Sequence, residues 1–209
     1  MTVSSVTAPA DEVKTAGVVE AASNDNKRQK LEHEQENPLL RSWSDQPFNL
    51  PPFADIKSSH FEPALKAGME AHIADLEAIA SSESTTFNDI LGKYDRAGAL
   101  LSKVSSVYYN YTSSLNTPDL QKVQTTMAPI LSRHNSKCYD IPGLFEKIEK
   151  LYDMKDEKLK SGEWTAEQAR LAERVYIKFV RMGAKFDDAK KSEYADIQGK
   201  CLQFNCTVH

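Results

Sequence analysis

The sequence predicts an all-α fold, an array of about five to seven mostly antiparallel helices that follows an extended proline-rich arm and a disordered N-terminal tail. From Ser59 onward, apolar residues recur at the spacing of a helix face. Helix-start signals divide this region into segments joined by short loops, which is typical of antiparallel neighbours. No segment alternates apolar and polar residues convincingly in the way that a half-buried strand does.

The composition is that of a globular protein, and it excludes several classes of function. Among the 209 residues, 40% are hydrophobic and 27% are charged, and the net charge of −4 offers no basic surface for nucleic acid. No apolar run approaches the roughly 20 residues of a membrane span, and the N-terminus lacks the pattern of a secretory signal. The three cysteines, Cys138, Cys201 and Cys206, suit a reducing compartment better than a disulfide scaffold. We therefore expect a cytoplasmic protein that binds neither nucleic acid nor membrane.

Composition divides the chain into a tail, residues 1–36, and a helical domain, residues 37–209. The tail is rich in Ala, Ser, Thr, Val and Glu, contains no aromatic residue and shows no sustained period. Such a segment cannot bury enough apolar surface to offset the entropy lost on ordering, so we predict that it is disordered.

A proline-rich arm should connect the tail to the first helix. Closely spaced prolines, among them Pro51 and Pro52, prevent a helix here, because proline lacks the backbone donor and restricts the residue before it. We predict that the interleaved side chains of Phe48, Leu50 and Phe53 cover an apolar surface made by later helices.

The first helix should begin at Ser59, which is an N-cap with Glu62 three residues on as the partner of a capping box. Pro63 then falls in the first turn, where proline is tolerated. The inward stripe of this helix is predicted to consist of Phe61, Leu65, Met69, His72, Ile73, Leu76, Ile79 and Ala80.

Local signals also predict the boundaries of the middle helices. Thr86 should cap the second helix, with Asp89 at the third helical position, and Gly98 interrupts the pattern as either a kink or a cap. Thr117-Pro118-Asp119 starts a helix that contains Pro129, which should kink it, and that ends near residues 138–140.

The last helices are predicted in the same way. Ile141-Pro142-Gly143 should start a helix, and the charged stretch that follows its apolar residues ends in Ser161-Gly162. Thr165 and Gln168 form a second capping box, and Gly183 is a suitable C-cap for the helix that follows. Asp187 and Asp188 should open a final helix.

Catalytic motifs are incomplete or absent in this sequence. A zinc peptidase of the common kind needs His-Glu-x-x-His, which places two imidazoles on one helix face with a glutamate beside them. The nearest match, His33-Glu34-Gln35-Glu36-Asn37, ends in asparagine and lies in the tail. None of the five histidines is four residues from another, so we interpret His60, His72 and His134 as packed or surface imidazoles. The sequence thus predicts no catalytic, cofactor-binding or metal-binding residue.

A series of short motifs extends in a fixed order over residues 37–205. The motifs are Asn37-Pro38-Leu39-Leu40, Leu50-Pro51-Pro52-Phe53, His60-Phe61-x-Pro63-Ala64-Leu65-x-x-Gly68-Met69, Glu77-Ala78-Ile79-Ala80, Thr86-Phe87-Asn88, Gly98-x-Leu100-Leu101-x-x-Val104-x-x-Val107, Leu120-Gln121, Leu144-Phe145, Glu167-Gln168-x-Arg170-Leu171 and Phe179-Val180-Arg181-x-Gly183-Ala184. In this order they resemble the start of the thimet oligopeptidase family of zinc metallopeptidases, and within it the branch of peptidyl-dipeptidase Dcp and oligopeptidase A.

The resemblance implies an all-α domain that forms one wall of a deep channel over a catalytic half. In that family the channel admits short unstructured peptides, and the zinc ligands and catalytic glutamate lie far downstream of the matching region. The resemblance therefore implies the N-terminal part of a zinc metallopeptidase, truncated before its catalytic domain and inactive alone. Cys206–His209 departs from the family's helix, and a truncated isoform, a frameshift, a degenerate copy or an incomplete gene would each produce such an end.

Two other interpretations stay open. A stand-alone helical module that binds peptides or a partner protein would use the apolar surface that a lost catalytic half leaves exposed. A small zinc-binding protein is the third hypothesis, since the spacing Cys-x4-Cys-x2-His loosely resembles a zinc knuckle, although we prefer to read these residues as unconnected. The residues concerned are Cys201, Cys206 and His209.

Overall fold

The computed structural model describes residues 37–186 and Lys190. The chain divides into two units, Met1–Ile56 and Lys57–His209. The predictions for residues 1–36, and for the final helix that should open at Asp187, lie outside the described residues.

The described part of the first unit is a series of turns rather than an arm extended along its whole length. Asn37 is buried, and its side-chain oxygen accepts a hydrogen bond from the Leu39 backbone at 3.0 Å. The Trp43 indole donates to the Pro38 carbonyl at 2.8 Å. Pro47–Asn49 then forms a single 3-10 turn. Local hydrogen bonds therefore pair several polar groups of this segment.

The predicted burial of Phe48, Leu50 and Phe53 is wrong. Phe48 is 92% exposed, Leu50 52% and Phe53 48%. Phe48 and Asn49 both have left-handed backbone angles, with φ of +57° and +54°, so the chain turns where the prediction required it to run straight. Proline spacing excludes a helix but does not specify which turn replaces it. The buried aliphatic side chains in this unit include Leu39 and Ile56.

The second unit confirms the all-α prediction. Its described residues contain no strand and form five long helices and one short helix. None of the helices in this part of the chain combines the length and the apolarity that crossing a membrane requires. The helices are α1 (Phe61–Ser81), α2 (Lys93–Arg96), α3 (Ala99–Ser114), α4 (Pro118–Tyr139), α5 (Leu144–Lys160) and α6 (Ala166–Arg181), with a π-helical turn, Asn88–Gly92, directly before α2.

The start of α1 differs from the prediction. Ser59 lies inside a 3-10 turn, and no side chain caps the helix that follows. The Nδ1 atom of His60 instead accepts a hydrogen bond from the Lys57 backbone at 3.1 Å. The predicted capping box of Ser59 and Glu62 is therefore wrong, because a tighter turn precedes the helix and shifts its first residue. Pro63 does lie in the first turn of α1, as predicted.

The inward stripe of α1 is confirmed, and α1 packs mainly on α3. The Phe61 ring lies 5.6 Å from the ring of Tyr108 and 5.2 Å from that of Tyr111. Farther along, a Cβ atom on Gly68 would lie only 2.9 Å from the Cα atom of Leu101. The backbones can therefore approach this closely because Gly68 has no side chain. The fully or largely buried stripe residues are Phe61, Leu65, Met69, Leu76 and Ile79.

A polar network starts the π-helical turn, as the Thr86 signal predicts. The Thr86 hydroxyl accepts from the Asp89 backbone at 3.2 Å and donates to the Asp89 carboxylate at 2.8 Å. Ser84 donates to the same carboxylate oxygen at 2.7 Å, and Lys93 pairs with the other oxygen at 2.9 Å. The Lys93 contact, followed by the two hydroxyl bonds, holds the pKa of Asp89 well below its usual value. Gly98, with φ of +72°, separates α2 from α3, so it divides two helices and does not kink a single one.

We expect Asp89→Asn to lower the free energy of unfolding near neutral pH. The difference in this free energy between the variant and the wild type should shrink in acid. The folded pKa of Asp89 is lower than its unfolded value of 3.8, so its contribution is complete above that value and is lost as the pH falls below it. Urea unfolding at about pH 6 and about pH 3 measures both differences. Glu83→Gln is the control, because Glu83 is an exposed carboxylate in the same loop. An Asp89→Asn difference that stayed constant with pH would contradict this assignment.

The caps of α4 and α6 are confirmed. The Thr117 hydroxyl accepts from the third backbone amide of α4, and Pro129 lies inside this helix, which remains continuous to its predicted end. Thr165 accepts from the Gln168 backbone at 3.2 Å, and the Gln168 side chain accepts from the Thr165 backbone at 2.9 Å. Gly183, with φ of +91°, directly follows Met182, the C-cap of α6, and so holds the left-handed position that commonly ends a helix.

The core of the second unit surrounds Phe179 of α6, which is fully buried. Its ring lies 5.0 Å from the ring of Tyr139, 5.7 Å from that of Tyr94 and 6.0 Å from that of Phe145. α5 and α6 form the most extensive helix contact on this side of the unit. The other buried core residues include Leu76, Ile79, Ile90, Leu91, Leu144, Ile148, Leu151, Trp164 and Val175.

Candidate functional site

A cleft with a volume of about 770 Å³ opens in the second unit beside α1, α3, α4 and α6. Imidazole, thiol, phenol and ammonium groups meet aliphatic side chains in its lining. Concave sites of this size with a few convergent polar groups are usual binding sites. The lining includes His72, Tyr94, Leu101, His134, Cys138 and Lys178.

Three of these side chains, His72, His134 and Cys138, form what we call the His–His–Cys cluster. The Nδ1 atom of His72 lies 3.1 Å from the Nε2 atom of His134. The Sγ atom of Cys138 lies 3.7 Å from the first nitrogen and 3.5 Å from the second. The imidazoles are half-buried and the thiol is buried. Three atoms that can each donate an electron pair therefore converge at one edge of the cleft.

Two helices and one loop position the His–His–Cys cluster. His134 and Cys138 are four residues apart on α4, which places them on the same helix face. His72 comes from α1, 62 residues earlier in the chain. A Cβ atom on Gly98 would lie 2.8 Å from the His72 ring, and the Gly98 backbone donates to the Asp75 carboxylate at 3.2 Å. The loop before α3 thus supports one side of the His72 ring.

Burial sets the protonation of the His–His–Cys cluster. Desolvation is the largest cause that lowers the pKa of each imidazole. The charge of Lys178 also lowers the pKa of His72, whereas Asp75 raises it. Desolvation raises the pKa of Cys138 to about 11, against smaller opposing effects of Lys178 and Lys137. At neutral pH both rings are therefore uncharged and the thiol keeps its proton.

The sequence predicts packed or surface imidazoles at His72 and His134, and the structure brings the two rings into contact. Their separation along the chain gave no sequence signal for the pair. The spacing of His134 and Cys138 is the sequence signal for the other pair, because residues four apart share a helix face. His60 lies elsewhere, bonded to a backbone amide. The other candidates, which lie outside the described residues, are His33–Glu36, Cys201, Cys206 and His209.

The His–His–Cys cluster does not fit the zinc site that the sequence resemblance implies. A His-Glu-x-x-His site takes both imidazoles from one helix and places a glutamate beside the metal. Here the imidazoles come from two helices, and the third donor is a thiol. No His-Glu-x-x-His motif occurs in the 209 residues. We therefore assign no catalytic step of a peptidase to these residues.

Comparisons with known proteins identify peptidases as relatives of this chain. The dipeptidyl carboxypeptidase of Escherichia coli K12 is 28% identical over 158 residues, which are 75% of this chain and 22% of that protein. Oligopeptidase A of Salmonella typhimurium is 28% identical over 118 residues, 56% of this chain and 17% of that protein. The organellar oligopeptidase A of Arabidopsis thaliana is 22% identical over 165 residues, 78% of this chain and 19% of that protein. The chain thus spans about a fifth of the length of these relatives, and no protein-family model matches it.

Proposed function

Since the chain is homologous to the N-terminal region of the thimet oligopeptidase family, we propose that it is the channel-wall part of a zinc metallopeptidase that hydrolyses short peptides. The observation that carries the proposal is the similarity to dipeptidyl carboxypeptidase over 75% of this chain. The all-α second unit is consistent with it, because a wall of packed helices can confine a peptide without supplying catalytic groups. Unstructured peptides are then the substrates of the whole enzyme.

In this proposal, two parts of the enzyme have different roles. The 209 residues contribute the helical domain, for which the sequence predicts the bounds 37–209, and a catalytic domain outside them supplies the zinc ligands and the general base. The lack of a His-Glu-x-x-His motif supports the division, and so does the fraction of the relatives' length that the chain spans. The helical domain alone is then inactive. The cytoplasmic location stays a prediction from the composition.

The size of the native product tests the proposal. An antibody raised against residues 57–186 should detect a band several times heavier than 23.4 kDa on a denaturing gel of cell extract. Protein captured by that antibody should hydrolyse short peptides, and a zinc chelator should abolish this activity. The purified 209-residue chain is the control, and it should not hydrolyse the same peptides. A single band at the mass of this chain, or robust hydrolysis by the purified chain, would overturn the proposal.

A stand-alone binding module is the second candidate function, and exposed apolar side chains favour it. Tyr109 and Leu115 of the α3 region are 59% and 61% exposed, and Phe48 of the first unit is 92% exposed. Calorimetric titration of the purified chain with short peptides distinguishes the two candidates. Peptide binding together with a native product at the mass of this chain would favour the module.

A further inference from the structure

We propose that His72, His134 and Cys138 bind a zinc ion through three protein atoms and leave its fourth coordination position open to the cleft. The proposed peptidase function assigns no role to these residues, so this site is independent of it. The metal would lie within the helical domain itself. Its ligands would differ from those of a His-Glu-x-x-His site.

The geometry of the His–His–Cys cluster matches one face of a zinc tetrahedron. With zinc–nitrogen bonds of about 2.0–2.1 Å and a zinc–sulfur bond of about 2.3 Å, such a face has a nitrogen–nitrogen edge of about 3.3 Å and nitrogen–sulfur edges of about 3.6 Å. The structure has edges of 3.1 Å, 3.5 Å and 3.7 Å between the same kinds of atom. The centre of the triangle lies about 2.0 Å from each atom, so an ion displaced slightly out of the plane, as a tetrahedral ion is, would lie at coordination distances. Metal binding therefore needs little rearrangement of the protein.

The donor types select the metal. Two imidazole nitrogens and one thiolate suit zinc and other borderline or soft ions, whereas calcium and magnesium prefer oxygen ligands. Zinc accepts such a mixed set without a demand for a square-planar arrangement. Three protein ligands with an accessible fourth position are typical of zinc sites that hold water or an exchangeable ligand.

The protein holds the ligands in place before the metal arrives. The spacing of His134 and Cys138 places both side chains on one face of α4, and the Gly98 backbone lies against the His72 ring. A larger residue at position 98 would displace that ring, because its Cβ atom would lie 2.8 Å from the imidazole. Preorganisation of this kind reduces the entropy lost on binding.

Metal binding sets the protonation of the three ligands. Imidazole binds a metal ion in its neutral form, and cysteine binds it as the thiolate. Cys138 must lose its proton, so one proton is released for each ion bound.

Cobalt binding to the purified 209-residue chain tests the proposal. The chain is freed of metal with a chelator, kept reduced with a phosphine and titrated with Co²⁺. We expect one equivalent to produce a near-ultraviolet thiolate-to-cobalt charge-transfer band together with visible bands of tetrahedral intensity. Added Zn²⁺ should remove both sets of bands and raise the thermal unfolding midpoint, because it binds the folded state.

Substitutions locate the site. Cys138→Ala should remove the charge-transfer band, and Cys138→Ala and His134→Gln should each weaken zinc binding by more than about 100-fold, since loss of an outer-shell partner alone costs about 10–100-fold. Circular dichroism of each variant without metal confirms that it is folded. The matched control combines Cys201→Ser, Cys206→Ser and His209→Gln, which remove the other two cysteines and the C-terminal histidine, and it should keep the band unchanged.

Three results would overturn the proposal. The first is the lack of a charge-transfer band at stoichiometric Co²⁺ in the wild-type chain. The second is a band that survives in Cys138→Ala. The third is a band that disappears in the triple control, which would place the metal at the C-terminal donors. In each case the His–His–Cys cluster would be a hydrogen-bonded packing arrangement, with one imidazole donating to the other.

Discussion

Phe179→Ala is expected to lower the free energy of unfolding of the 209-residue chain by about 3–5 kcal/mol. Phe179 is fully buried, and three aromatic rings surround it at centroid distances of 5.0–6.0 Å. The substitution removes apolar burial and ring contacts, and it leaves a cavity that Tyr94, Tyr139 and Phe145 can fill only in part. Because these rings belong to three separate segments, the loss should affect the whole second unit.

Urea unfolding followed by far-ultraviolet circular dichroism measures this loss. The matched control is Ile177→Ala on the same helix, because Ile177 is 36% exposed and should cost less than about 1 kcal/mol. The dependence of the unfolding free energy on urea concentration should be the same in both variants if both expose the same surface area on unfolding. Equal effects of the two substitutions would mean that Phe179 is not the centre of this core.

Gly68→Ala is expected to destabilise the chain by about 1–2 kcal/mol, although alanine is the better helix former. Alanine should contribute about 0.5–1 kcal/mol through helix propensity. The added Cβ atom would lie 2.9 Å from the Leu101 Cα atom and 3.2 Å from its backbone nitrogen, where no flexible side chain can move aside. α1 and α3 would have to separate, and separation weakens every contact along their interface.

Gly92→Ala is the matched control for Gly68→Ala. A Cβ atom on Gly92 would have its nearest neighbours at 3.7 Å, which is ordinary contact, and the backbone there is already helical with φ of −66°. The same chemical change should therefore leave stability unchanged or raise it by up to about 1 kcal/mol. Urea unfolding of both variants gives the comparison, and a stabilising Gly68→Ala would contradict the close approach of the two helices.

Much of the fold was predictable because its signals are local. The Thr165–Gln168 box and the left-handed Gly183 that ends α6 act within one turn, so a short stretch of sequence contains the whole interaction. The start of α1 was mispredicted since two successive serines, Ser58 and Ser59, fit either a cap or a 3-10 turn. The exposure of Phe48 was missed for a related reason, because its left-handed backbone angle is uncommon outside glycine.

The candidate site was less predictable because packing creates it. His134 and Cys138 share a helix face by their spacing, and this half of the His–His–Cys cluster can be read from the sequence. The other half depends on how α1 lies against α4, which places His72 within 3.1 Å of His134. No local sequence pattern specifies how α1 and α4 align with each other. The close approach at Gly68 is likewise a contact that the sequence does not predict, since only the structure reveals that Leu101 lies opposite.

Each unit contains one tryptophan, so tryptophan fluorescence can follow the unfolding of each unit separately. Trp43 lies in the first unit, with its indole bonded to the Pro38 carbonyl, and Trp164 lies in the second, edge-on to Phe87 at 5.0 Å. These are the two tryptophans of the chain. A Trp43→Phe variant therefore emits from the second unit alone, and a Trp164→Phe variant from the first alone. Coincident fluorescence transitions in the two variants would identify one cooperative transition, whereas separate midpoints would identify two steps.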